Sequence, residues 1–178
     1  MAAQSFTLPD GRTHWYQAIL LPQGGVNWPQ AKSLAEQVGG YLATIHSKAE
    51  NDFVFSLIQD RKFWFEWDGS HNHVMNGPFL GGFQPQGSSE PRGGWRWVTS
   101  EPWDYENWAW DGMPGDRDPR PNTQPNDATG NQNVLAFGEV NEPVPTWGDF
   151  PQKFSSYNDS HEGKCRGFVI EYDRDPGR

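Results

Sequence analysis

Residues 14–20 run His-Trp-Tyr-Gln-Ala-Ile-Leu between two groups of turn formers, Pro9-Asp10-Gly11 and Pro22-Gln23-Gly24-Gly25. An apolar run rich in β formers and bounded in this way predicts an early strand. The pattern then changes period. Ala31, Leu34, Ala35 and Val38 fall at i, i+3, i+4 and i+7, so a helix is expected with Asn27 or Trp28 as its cap and Pro29 in the first turn. Gly39-Gly40 ends it. A second helix starts at Ser47, where Glu50 stands at the fourth position of a capping box, and its inward face is expected to carry Ala49, Phe53 and Leu57 with Val54 and Ile58 beside them. It should end near Gln59 or Asp60. Beyond residue 63 the text is strands and turns, with strands expected at 79–83, 95–99, 134–137 and 167–172. Residues 109–133 form a Pro/Gly/Asp/Asn-rich connection that is too long to be an idle link in a compact domain. The whole chain, 1–178, reads as a single domain of α+β class.

Composition adds to this picture. Ten Trp, eleven Phe and five Tyr carry most of the buriable apolar area, so the core must be aromatic. A formal net charge of −9 repels phosphate backbones, which argues against nucleic acid as a partner. One cysteine, Cys165, cannot form a disulfide within the chain. No apolar run approaches the roughly 20 residues of a membrane span, and the first residues have neither the basic nor the apolar region of an export signal. Membrane insertion is therefore not expected.

Several segments share one order with a known family. They are Trp28 to Ala35 followed by GGYLATI (39–45), SKAENDFVFSLI (47–58), LGGFQP (80–85) and GGWRWVTSEPWDYENW (93–108). QPND (124–127), GNQNVLAF (130–137), TWGDF (146–150) and GFVIEYD (167–173) follow. In these the chain resembles C-type lectin-like domains of the disulfide-free type found in bacteria. The resemblance implies two helices, two small antiparallel sheets and a long loop region that carries the ligand site. It also implies a core made of Trp95, Trp97, Phe168, Ile170 and Tyr172. The positions that pair as disulfides in animal members hold Ala35 with Ile170 and Val134 with Gln152.

The resemblance further implies a calcium site. Its ligand positions fall on Gln124 and Asn126 around a cis-Pro125, on Gln132, and on Gly148 and Asp149 of the Trp-Gly-Asp motif. Only Asp149 is charged among them. Asp127 could add a carboxylate, and Asp116 and Asp118 could make an auxiliary cation site. Calcium would hold vicinal sugar hydroxyls, with Trp108, Trp110 and Tyr157 stacking on an apolar sugar face and Trp147 packed beneath. So little ligand charge implies weak binding, with a Kd on the order of 1 mM. Asp149 is then expected to face solvent, with no structural task besides the ion. The partner implied is a glycan or glycoprotein, and the compartment implied is extracellular or periplasmic.

His71 and His73 would point the same way in an extended segment, but two ligands are too few for a transition-metal site. The distantly related formylglycine-generating enzymes use cysteine pairs, and neither a nucleophile elbow nor a phosphate loop is present, so no enzyme is expected. The rival to a lectin is a calcium-independent protein-binding or adhesion domain that uses the long loop as its contact surface.

Overall fold

The apolar run at the start of the chain is realised as a strand with His14, Tyr16 and Ala18 buried and their neighbours half-buried. The structure, a computed structural model, describes residues 1–21, 25–69, 72–114, 123–128, 130–152 and 165–178, with side chains described except at 66–74 and 139–140. In chain order these residues form β1 (Gln4–Thr7), β2 (Thr13–Leu20), α1 (Trp28–Gln37), β3 (Tyr41–Leu42) and α2 (Lys48–Ser56). A short 3-10 turn, Arg61–Phe63, precedes β4 (Phe65–Gly69), β5 (Asn72–Phe83), β6 (Arg96–Trp97), β7 (Gln132–Val140), β8 (Trp147–Pro151) and β9 (Gly167–Tyr172). No helix among the described residues is long and apolar enough to cross a membrane.

Two antiparallel halves make up the sheet, and a parallel pairing at Phe79 and Phe168 joins them. One half is β1-β2-β9 with β3 on β9, and the other is β5-β7-β8 with β4 and β6 on β5. β9 lies in the middle with every residue buried. β5 also passes close to β3, because a Cβ on Gly81 would lie 2.4 Å from the carbonyl oxygen of Leu42. Only glycine fits there.

The helices depart from the expected faces for identifiable reasons. α1 is capped by Asn27 in a reciprocal box with Gln30, and it buries Trp28, Ala31 and Ala35. Leu34 and Val38 are 39% and 57% exposed. The small alanines let the helix approach the sheet along a narrow line, and the two larger residues fall on its flank. In α2 the buried residues are Glu50, Asn51 and Val54, while Ala49 is exposed. Phe53 is half-buried and stacks on Phe6 at 5.0 Å. Ser47 accepts from the Glu50 N–H, but the Glu50 carboxylate accepts from the His46 N–H at 2.7 Å and from the Tyr16 hydroxyl. The inward face of α2 is therefore partly polar.

Glu50 belongs to a buried network centred on Glu171, which is fully buried. Glu171 Oε1 pairs with His14 Nδ1 and lies 3.3 Å from the hydroxyls of Tyr16 and Tyr41. Its Oε2 accepts from the backbone N–H of Thr44 at 2.8 Å and from the Thr44 hydroxyl at 3.0 Å. The hydrogen bond to Glu171 holds the His14 imidazole above its ordinary pKa. Burial pushes the Glu50 carboxyl up as well. These groups tie together β2, β3, α2 and β9.

Tryptophans fill the remaining core. Trp95 and Trp97 are buried, as are Phe168, Ile170 and Tyr172, the residues the resemblance assigned to the interior. Trp97 and Trp103 lie 4.4 Å apart, Trp95 and Trp108 4.9 Å. Ala35 and Ile170 share one buried cluster, so packing occupies the place of that staple.

Candidate functional site

The long loop leaves and re-enters the sheet through a backbone ladder. Trp147 N–H donates to the Asn107 carbonyl at 2.9 Å, Ala109 N–H to the Trp147 carbonyl at 2.9 Å, and Gln124 N–H to the Ala109 carbonyl at 2.8 Å. Asn51 supports this ladder from below. Its side chain donates to the Pro145 carbonyl at 2.9 Å and accepts from the Trp147 indole N–H at 2.8 Å. Asn107 donates to the same Pro145 carbonyl at 2.7 Å. Both ends of the loop are thus held against β8.

The Gln124–Pro125 bond is cis, as the resemblance implies. Gln124 is 1% exposed, and its carbonyl accepts from the Arg92 guanidinium at 3.1 Å. After Pro125 the chain turns over Asp149. Oδ1 of Asp149 accepts the Asn126 N–H at 3.0 Å and Oδ2 the Asp127 N–H at 2.8 Å. Asp127 adopts φ +45°, a left-handed conformation that a short polar side chain tolerates. Its carboxylate accepts the Gln132 N–H at 2.9 Å. The Gln132 side-chain oxygen accepts the Ala128 N–H at 2.6 Å, and the Asn126 side-chain oxygen accepts that N–H at 2.9 Å.

Asp149 therefore does not face solvent as expected. It is fully buried, on a strand whose five residues are all buried. Burial pushes its carboxyl up to about 6, against the lowering effect of the Asp127 and Asn126 N–H groups. Its task is structural, because it supplies the acceptors for two backbone donors at the turn.

The other expected site residues divide. Gln124, Asn126, Asp127, Gln132 and Asp149 come together at this turn. Trp108 does not serve as a platform. It is 9% exposed, and its ring lies 4.9 Å from Trp95 and 6.1 Å from Trp147, because its backbone bridges to Trp147 and draws the indole inward. Trp110 is 50% exposed. Trp147 is fully buried beneath the loop. Tyr157, Asp116, Asp118 and His71 lie outside the described residues, as does the side chain of His73. Arg92 and Asn51 are parts of the site that sequence reading missed, since each acts through a contact distant in the chain.

Calcium needs six to eight oxygens, with enough charge to offset its dehydration. At this turn both oxygens of the one buried carboxylate already accept N–H groups. The oxygens of Asn126 and Gln132 are likewise turned to the backbone, and Gly148 has no side chain. Arranged in this way, Asn126, Gln132 and Asp149 do not fit the ion. Among the described residues no group of three or more His, Cys, Asp or Glu is placed to hold a metal.

The helices, the joined sheets and the loop held against β8 define a C-type lectin-like fold. The carbohydrate-recognition domain of cow CD23, solved in the presence of a GlcNAc2Man3 oligosaccharide, matches at 21% identity and a TM-score of 0.54, over 89% of this chain and 86% of that one. Human lithostathine matches at 16% and 0.60, over 97% and 98%. A calcium-independent type II antifreeze protein matches at 16% and 0.55, over 96% and 95%. No protein-family model matches the chain, and no curated protein does.

Proposed function

We propose that the chain is a glycan-binding module whose ligand rests on the loop end, against the indole of Trp110. The observation that carries this reading is the 50% exposure of Trp110 beside a ladder that fixes Ala109 to Gln124. A half-exposed indole on a fixed stem offers an apolar face to a sugar ring at little ordering cost. The exposed Asn126 and the half-buried Asp127 follow two and three residues after Gln124, whose N–H is bonded to Ala109 beside Trp110. The cow CD23 domain with its oligosaccharide supports glycan as the ligand class on this fold.

A glycan array, followed by titration of the strongest ligand, tests the reading. Trp110→Ala should weaken that ligand roughly tenfold, a loss of about 1.4 kcal/mol. Its melting temperature should stay near that of the wild type, because the indole is half in water. The same surface would serve a protein partner. An array blank for the wild type, with or without calcium, would replace the glycan reading by a protein-binding one.

A further inference from the structure

We infer that this chain has written the anchor of its long loop into its own hydrogen bonds, with Asp149, which the resemblance makes a cation ligand, holding the turn directly, so that the binding surface is formed without divalent metal. A bound cation at a loop draws several oxygens together; here one carboxylate draws two N–H groups together instead. The Asn126 and Asp127 N–H groups converge on opposite oxygens of Asp149 at 3.0 and 2.8 Å. Two further contacts close the turn in the same manner, from Ala128 N–H to the Gln132 side chain and from Gln132 N–H to the Asp127 carboxylate. The side-chain oxygens of Asp149, Asn126 and Gln132 each face a backbone donor, and an N–H robbed of its buried acceptor is costly. Neutral Gln and Asn at 124, 126 and 132 agree with this, since Asp127 alone of the neighbouring positions then adds a carboxylate beside Asp149. The inference holds whether the ligand is a glycan or a protein.

Amide hydrogen exchange and thermal melting of the wild type, in chelator and in millimolar calcium, test it. The melting temperature and the protection of the Asn126, Asp127 and Ala128 amides should be the same in both. A rise of several degrees in calcium, or new protection of these amides, would overturn the inference. Asp149→Ala should speed exchange of the Asn126 and Asp127 amides by roughly tenfold or more in either condition, as local opening is no longer opposed. Unchanged exchange in a folded Asp149→Ala protein would also overturn it. Should that variant fail to fold, Asp149→Asn, which keeps one acceptor oxygen and the shape, should show faster exchange at one of the two amides, again without response to calcium.

Discussion

Glu171→Ala is expected to lower the free energy of unfolding by about 3–5 kcal/mol, since removing one partner of a buried charged network leaves the others without their acceptor. Glu171 is fully buried and serves His14 and Thr44, with the Tyr16 and Tyr41 hydroxyls close by. Urea denaturation followed by tryptophan fluorescence measures the loss, and a value under about 1 kcal/mol would contradict the network's assigned weight. The same network predicts a pH dependence. His14 has its folded pKa raised by its hydrogen bond to Glu171, so its contribution is fully present below the unfolded value of 6.5 and is lost as pH rises through the folded one. Melting temperature should therefore fall as pH rises from 6.5 through that folded value. His14 lines a cleft together with Tyr41, whose hydroxyl donates to Asp173, and with Arg12 and Glu101. His14→Gln should flatten this part of the profile.

Asp149→Ala is expected to cost about 2–3 kcal/mol. Two backbone N–H groups lose their acceptors at about 1–3 kcal/mol each, and relief from burying a charge offsets part of that. Asp149→Asn should cost less, about 1 kcal/mol, because it retains one acceptor and removes the charge. The sign with pH follows from the raised carboxyl. Its pKa goes from 3.8 to about 6 on folding, so its contribution is fully present below 3.8 and is lost as pH rises through about 6. Between those values the wild type should gain stability on acidification relative to Asp149→Asn. Parallel melting curves of the two proteins across this range check it.

Local features were legible in the sequence wherever one element decides them. A cap at Asn27 or Trp28, the Ser47 cap and the strand at 14–20 need only neighbouring residues, and each is present, with Asn27 as the first cap. The loop between Trp108 and Val134 announced itself by its turn formers and its length. What could not be read depends on partners far along the chain. Glu50 reads as a reciprocal cap, yet Tyr16 and the His46 N–H claim its carboxylate. Trp108 and Trp110 are alike in composition and context, and only the pairing of the first with Trp147 decides which indole is buried. Asp149 reads as an exposed ion ligand because its motif says nothing of the two N–H groups that fold back onto it from Asn126 and Asp127. In each case the signal for fold survived, since it is spread over many residues. The signal for the site was altered by single contacts.

That the loop end around Trp110 is the ligand surface and stands without metal can be tested by NMR. Amide and indole NMR shifts of the labelled protein would be followed, in chelator, as the strongest glycan from the array is added. Changes are expected to concentrate at the Trp110 indole N–H and at the amides of Asp111, Asn126, Asp127 and Ala128. Still signals at these positions, with changes gathered instead at the groove beside α1 lined by Val26, Gln30 and Leu34 or at the cleft of Arg12, Tyr41 and Asp173, would place the ligand surface elsewhere.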